Sequence, residues 1–180
     1  MLVVLVNGLP GAGKTTLAKV LAAELGLPLF SKDRIKETLA DRLGVAPPAG
    51  FTGRQWSGQL GSAAGETLWA LLADNRRGAV LESFWPVDLR PVVVAGLSRA
   101  GVEVAHEVRC TVPLAIARQR YDEREASRHP VHRGILVTDQ HWEQRALDAQ
   151  PLDLHHTYQV DTTRPVDVGA LAADIRGRQA

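Results

Sequence analysis

A single cysteine, Cys110, is all the thiol chemistry in this chain of 180 residues. One thiol excludes an intramolecular disulfide and, without neighbouring ligands, makes no metal site, so Cys110 reads as a core residue in a reducing compartment. Charge of one sign is also missing. The 21 basic and 20 acidic residues leave a formal net charge of +1, which provides no global field to gather nucleic acid or an anionic membrane. Any basic surface must be local: only Lys14, Lys19, Lys32 and Lys36 are lysines, and arginines crowd between Arg118 and Arg133. No apolar run reaches the length of a membrane span, and the N-terminal run is too short for a signal peptide, which predicts a cytoplasmic protein with no membrane partner. At this length one domain covering residues 1–180 is expected.

What is present is an alternation of apolar runs with helical periodicity, the pattern of a mostly parallel sheet covered by helices on both faces. Leu2 to Val6 is the first expected strand, and Leu17, Leu21 and Leu25 repeat at helical spacing until Gly26. Pro28 to Phe30 reads as a second strand, and Ile35, Leu39 and Leu43 as a second helix closed by Gly44. Prolines and glycines then break the rhythm, which predicts an irregular, substrate-side excursion over about 44–62. A helix near Ser62 to Arg77 follows, then the strand "GAVLESF" and a helix capped by Asp88 and running to about Ala100. "VEVAHEVRCTV" carries the fourth strand in its latter part, and Pro113 opens a helix running to about Ala126. A helix around Asp139 to Ala149, the strand "HTYQVD" and a closing helix through Val168, Leu171 and Ile175 complete the pattern.

The first strand runs straight into "NGLPGAGKTT", with Gly8, Gly13, Lys14 and Thr15 at the spacing of a phosphate cradle between strand and helix. In that context the loop of Gly8, Leu9, Pro10, Gly11, Ala12, Gly13 and Thr16 surrounds a β-phosphate with the backbone N–H groups of its residues other than proline, aided by the positive helix end. Lys14 reaches the β- and γ-phosphates, and Thr15 can ligate magnesium. The dinucleotide fingerprint is not satisfied, because Thr16 stands where its last glycine belongs.

These residues resemble the P-loop kinases of nucleotide-kinase type, above all the group containing chloramphenicol phosphotransferase and polynucleotide 5′-kinase. The resemblance implies a three-layer α/β P-loop NTPase fold with a five-stranded parallel sheet in the order 2-3-1-4-5, a small arginine-bearing lid over about 118–138, and ATP with Mg2+ as cofactors. It also implies an acceptor-activating aspartate after the second strand, where "FSKDRIK" places Asp33, and an acceptor contact at Lys36, with Arg34 as an alternative. Asp33 otherwise favours the positive end of its helix, beside Ser31 as a cap. At the end of the third strand, Glu82 either holds magnesium through water, contacts the acceptor, or forms a structural salt bridge, with Ser83, Phe84 and Trp85 beside it. The nucleoside monophosphate kinase signature Asp-Gly-Phe-Pro-Arg and the glycine triplet of shikimate kinases are both absent.

Arg120, Arg124 and Arg128 recur every four residues, so on one helix they share a face, either to bind an anion or as a solvated face moderated by Asp122, Glu123 and Glu125. The resemblance makes them lid arginines that stabilise the transferring phosphoryl group, with Arg118 in reserve. It also makes Thr163, Arg164 and Pro165 adenine contacts, where a plain turn capped by Asp161 is the alternative. His129 and His132, and His155 and His156 before the last strand, lack the companions of a zinc site, and hydrogen bonds that shape the lid are expected of such histidines instead. With aromatic residues at only 5%, Trp69 reads as core, and Trp56 and Trp85 as acceptor-pocket candidates.

The activity implied is transfer of the ATP γ-phosphate to a hydroxyl of a small molecule such as a nucleoside, sugar or antibiotic. A 5′-hydroxyl nucleic-acid kinase is the second reading, opposed by the near-zero net charge. A regulatory ATP-binding switch is the third, and no catalytic-water residue is identified for it.

Overall fold

Leu2–Gly8 is buried at every position and forms the central strand, β1, of the computed structural model, which describes residues 1–133, 135 and 138–179. A strand covered on both faces carries an unbroken apolar run where a half-exposed strand would alternate. The chain continues through α1 (Lys14–Leu25), β2 (Leu29–Ser31), α2 (Lys32–Leu43), α3 (Gly53–Asp74) and β3 (Gly78–Glu82). Then come α4 (Arg90–Arg99), β4 (Ala105–Thr111), α5 (Leu114–Asp122), α6 (Asp139–Asp148), β5 (His156–Asp161) and α7 (Val168–Gly177). All five strands are parallel, in the order β2-β3-β1-β4-β5, the order the resemblance implied.

Successive side chains of a strand point to opposite faces, so β1 feeds two cores. Val4 and Val6 pack with Leu17 and Leu21 of α1 and with Ala172 and Ile175 of α7. Val3 and Leu5 pack with Leu68, Trp69 and Leu72 of α3 and with Val93 and Leu97 of α4. The only cysteine, Cys110, lies in the first core, where burial pushes its thiol up to about 12, so it is neutral and inert at physiological pH. Register pairs Val6 with Glu82, Glu82 with Ser31, Gly8 with Cys110 and Thr111 with Asp161, which brings the carboxyl ends of the strands to one edge. In open α/β sheets that edge is where ligands bind.

Four local expectations are corrected. The irregular segment spans 44–52 rather than 44–62, because α3 begins at Gly53. Thr52 caps it: its hydroxyl accepts from the Gln55 backbone N–H at 3.2 Å, and the Gln55 side chain accepts from the Thr52 N–H at 2.9 Å. Glycines hide this helix in the sequence, but Leu60, Ala64 and Leu68 are buried along its inner face, and that burial outweighs the poor propensity. Helix α5 ends at Asp122, so Arg124 and Arg128 leave the helical face they were expected to share with Arg120. Asp88 lies within a single 3₁₀ turn, Val87–Leu89, and caps nothing. Ser31 precedes α2 without capping it, since its hydroxyl is engaged by Glu82. Gly134, Leu136 and Val137 of the expected lid, and Ala180, lie outside the described residues.

Candidate active site

The turn after β1 needs backbone conformations that only glycine adopts without strain. Gly8, Gly11 and Gly13 have φ of 139°, 85° and 77°. A Cβ on Gly11 would collide with the carbonyl of Ala117 in α5, so this glycine also lets the loop and α5 touch. Lys14 folds back over the loop and donates to the Leu9 carbonyl at 3.0 Å. Burial lowers its pKa, and the carboxylates of Glu82 and then Asp33 pull the other way.

Glu82 is only 3% exposed. No ion pair among the described residues uses it; instead the Thr15 hydroxyl donates to one carboxylate oxygen at 3.0 Å and the Ser31 hydroxyl to the other at 2.6 Å. The structural salt bridge is therefore set aside in favour of an oxygen-rich corner built from β2, β3 and the start of α1. Carboxylate and hydroxyl oxygens facing a phosphate cradle are the donor chemistry a hard divalent cation takes.

Asp33 stands exposed in the first turn of α2 with no hydrogen-bond partner among the described residues. Its negative charge raises the pKa of Lys14, Lys32, Lys36 and His132 against the lowering caused by their burial. Lys36 reaches across to α3 and donates to the Ser57 hydroxyl at 2.8 Å. Arg34, the alternative to Lys36, is exposed.

On the other side of the loop lies a cavity of about 460 Å³. Gly11, Gly13 and Thr16 line it from the cradle, Arg120 and Arg124 from the α5 side, and Arg164 and Pro165 from the turn after β5. Arg120 donates to the Thr162 carbonyl at 3.3 Å, and Arg124 to the Arg120 carbonyl at 3.0 Å. Arg128 is directed elsewhere: its guanidinium lies 3.8 Å over the Tyr121 ring and 3.9 Å from Glu125. Arg118 ion-pairs with Asp139 and so ties α5 to α6. Thr163 turns back on Asp161, its N–H and hydroxyl donating to one carboxylate oxygen at 2.9 and 2.6 Å, and it does not line the cavity.

The tryptophan expectations divide. Trp69 is core, and so is Trp85, which is 4% exposed beneath the second face of the sheet and is corrected from a pocket residue. Trp56 spends its indole N–H on the Gly44 carbonyl at 2.9 Å and packs against Ala40, Leu60 and Val131 between α2 and α3. Phe84 lies beneath Arg145, 5.1 Å from the guanidinium carbon. His129 meets Asp41 at 3.0 Å and His132 meets Glu37 at 3.4 Å, so both dock the segment after the lid turn onto α2. His155 accepts from the Ala105 N–H at 3.3 Å, and His156 stacks on His106.

Comparison with known proteins fits this geometry, since residues 3–150 match the AAA domain family. The chain belongs to that family. Among solved structures, a provisionally named kinase from Chloroflexus aurantiacus superposes on this AAA domain with a TM-score of 0.82 and 27% identity, covering 99% of this chain and 98% of that one. A sugar kinase from Janibacter shares the fold at a TM-score of 0.63 and 15% identity, over 99% and 96% of the two chains. Cytidylate kinase from Ignicoccus hospitalis is 48% identical over 46 residues, which is 26% of this chain and 27% of that enzyme. The matched region thus spans about a quarter of the length of that curated relative. The architecture is that of a P-loop kinase.

Two residues that hold this AAA domain's site together carried no motif. Asn7 is 2% exposed, and its side-chain oxygen accepts from the N–H groups of Gly8 at 2.8 Å and Trp85 at 3.0 Å. Its amide nitrogen donates to the Trp85 carbonyl and to Glu107, each at 3.0 Å, so one side chain joins the cradle to the ends of β3 and β4. Glu107 is fully buried, its pKa raised by burial and partly restored by the Asn7 and Leu152 N–H donors. Thr162 donates to the Ala12 carbonyl at 2.8 Å and fastens the cradle to β5. A polar residue at the carboxyl end of an apolar strand was the one signal available for Asn7; Thr162 had none beyond its neighbours.

Proposed function

We propose that this chain is an ATP-dependent phosphotransferase that moves the γ-phosphate to a hydroxyl of a small molecule. The observation that carries this reading is that Glu82 is held both by Thr15 of the P-loop and by Ser31, two residues before an unpartnered Asp33, with a separate cavity on the loop's far side. The cavity receives the nucleoside portion, lined by Thr16, Arg120, Arg124, Arg164 and Pro165, and the glycine loop holds the phosphates. Magnesium, when bound, neutralises phosphate charge, and Thr15 with Glu82 would hold it.

Lys14 and the arginines at the cavity mouth stabilise charge on the transferring group. Asp33 accepts the acceptor's hydroxyl proton while that oxygen bonds the terminal phosphorus, the bridging P–O bond breaks, and its electron pair leaves with ADP. Lys36, which reaches across to α3, would contact the acceptor.

The test is a transfer screen from labelled ATP to nucleosides, nucleoside monophosphates, sugars, antibiotics and a 5′-hydroxyl oligonucleotide. Label on a hydroxyl of one class supports the reading. Hydrolysis unaffected by every acceptor rejects it.

A further inference from the structure

The acceptor side carries more positive charge than the transfer step uses. Lys32 and Lys36 lie one turn apart on α2, both partly buried, and both face α3. Lys36 contacts the neutral hydroxyl of Ser57, and the Lys32 side chain passes 3.7 Å from where a Cβ on Gly65 would stand. Between those two points a Cβ on Gly61 would meet nothing within 4 Å, so the space flanked by the lysines is open.

Among the described residues no carboxylate lies within ion-pair distance of either lysine. The neighbouring acids are committed elsewhere: Glu82 to Thr15 and Ser31, Glu37 to His132, and Asp41 to His129. Burial lowers the pKa of both lysines, Asp33 only partly offsets this, and the charge of Lys32 lowers that of Lys36 further. Withdrawing two like charges from water at one place costs free energy unless an anion joins them. Asp33 is the one nearby carboxylate that opposes this, a single negative charge against two positive ones, and as the proton acceptor it must also face the hydroxyl.

We infer that the acceptor is itself an anion, a hydroxyl compound whose carboxylate or phosphate is bound by Lys32 and Lys36 beside the hydroxyl presented to Asp33. This rests on the phosphotransferase reading and narrows it, favouring acids and phosphate esters over neutral sugars, nucleosides and antibiotics. Lysine holds either kind of anion as a point charge, so the two chemistries are separated by experiment.

The experiment measures calorimetric binding and transfer from ATP on the full chain, using matched probes: glycerol phosphate against glycerol, uridine monophosphate against uridine, and lactate against lactamide. The expected result is that the charged member of at least one pair binds and is phosphorylated with KM roughly tenfold or more below its neutral partner. The K32Q/K36Q double variant, shown to be folded by its binding of ADP, should lose that preference. Preference within the phosphate pairs or within the lactate pair identifies the anion. Lysine-dependent binding of a charged probe without transfer upholds the anion site and overturns the phosphotransferase reading. Efficient transfer to neutral probes, a charge preference that survives K32Q/K36Q, or no binding of any charged probe overturns the inference.

Discussion

Replacing Glu82 with glutamine should slow phosphate transfer by roughly ten- to a hundredfold while leaving the fold intact. The carboxylate is 3% exposed and accepts from two hydroxyls, Thr15 at 3.0 Å and Ser31 at 2.6 Å. Glutamine has the same shape, and its oxygen can accept from one hydroxyl while its amide donates to the other, so neither is orphaned. What disappears is charge. Two charge-assisted hydrogen bonds become neutral ones, at about 0.5–1.5 kcal/mol each. Lys14 also loses the larger of the two carboxylate influences that oppose its desolvation, so its pKa falls further and its positive charge near the phosphates weakens. The weakened hydrogen bonds lower stability, whereas the charge missing from the magnesium corner and from Lys14 costs the rate, by roughly 1.5–3 kcal/mol of transition-state stabilisation. The assay is initial rate against magnesium concentration at saturating ATP, with thermal melting as the control for folding. A rate and magnesium dependence equal to wild type would refute the reasoning, because the buried carboxylate would then be structural filler.

Gly11→Ala should destabilise the protein by at least about 1–3 kcal/mol from backbone strain, with the clash against Ala117 added, and should weaken ADP binding; unchanged melting and affinity would show that the loop relaxes freely. Asn7→Ala strips partners from the Gly8 and Trp85 N–H groups and from buried Glu107, and should lower the melting temperature by on the order of 10 °C. His106, fully buried with its Nδ1 3.1 Å from the Tyr158 hydroxyl, has its pKa lowered from 6.5 to about 4, chiefly by burial. The unfolded chain then takes up this proton first, so the contribution is intact above pH 6.5 and is lost as pH falls towards 4. Urea unfolding should show wild type losing about 3 kcal/mol more than His106→Asn across that window, and parallel pH profiles would reject the assignment.

Much of this architecture is legible in the sequence because its signals are local. β1 is continuous apolar sequence running into a glycine loop, and Gly26 and Gly44 follow the last turns of α1 and α2. What the sequence hides depends on distant partners. The glycine-rich start of α3 is helical because Leu60 and Ala64 find burial, and Arg128 stacks on Tyr121 because α5 stops at Asp122. Trp85 looked like a pocket residue at a strand end, but Asn7 grips its backbone and its ring is buried in the core. The cradle itself was plain; the hydroxyls that hold Glu82, from Thr15 at the start of α1 and Ser31 at the end of β2, emerged only when the strand ends met.

The central claim is that Asp33 receives the acceptor's proton during phosphate transfer. Its most direct test is single-turnover transfer from γ-labelled ATP by wild type and Asp33→Asn, using an acceptor found in the screen. The account predicts label on the acceptor with wild type, and a loss of roughly a hundredfold or more in Asp33→Asn with ADP affinity retained. Label found only in inorganic phosphate, or equal transfer by the two proteins, would contradict it.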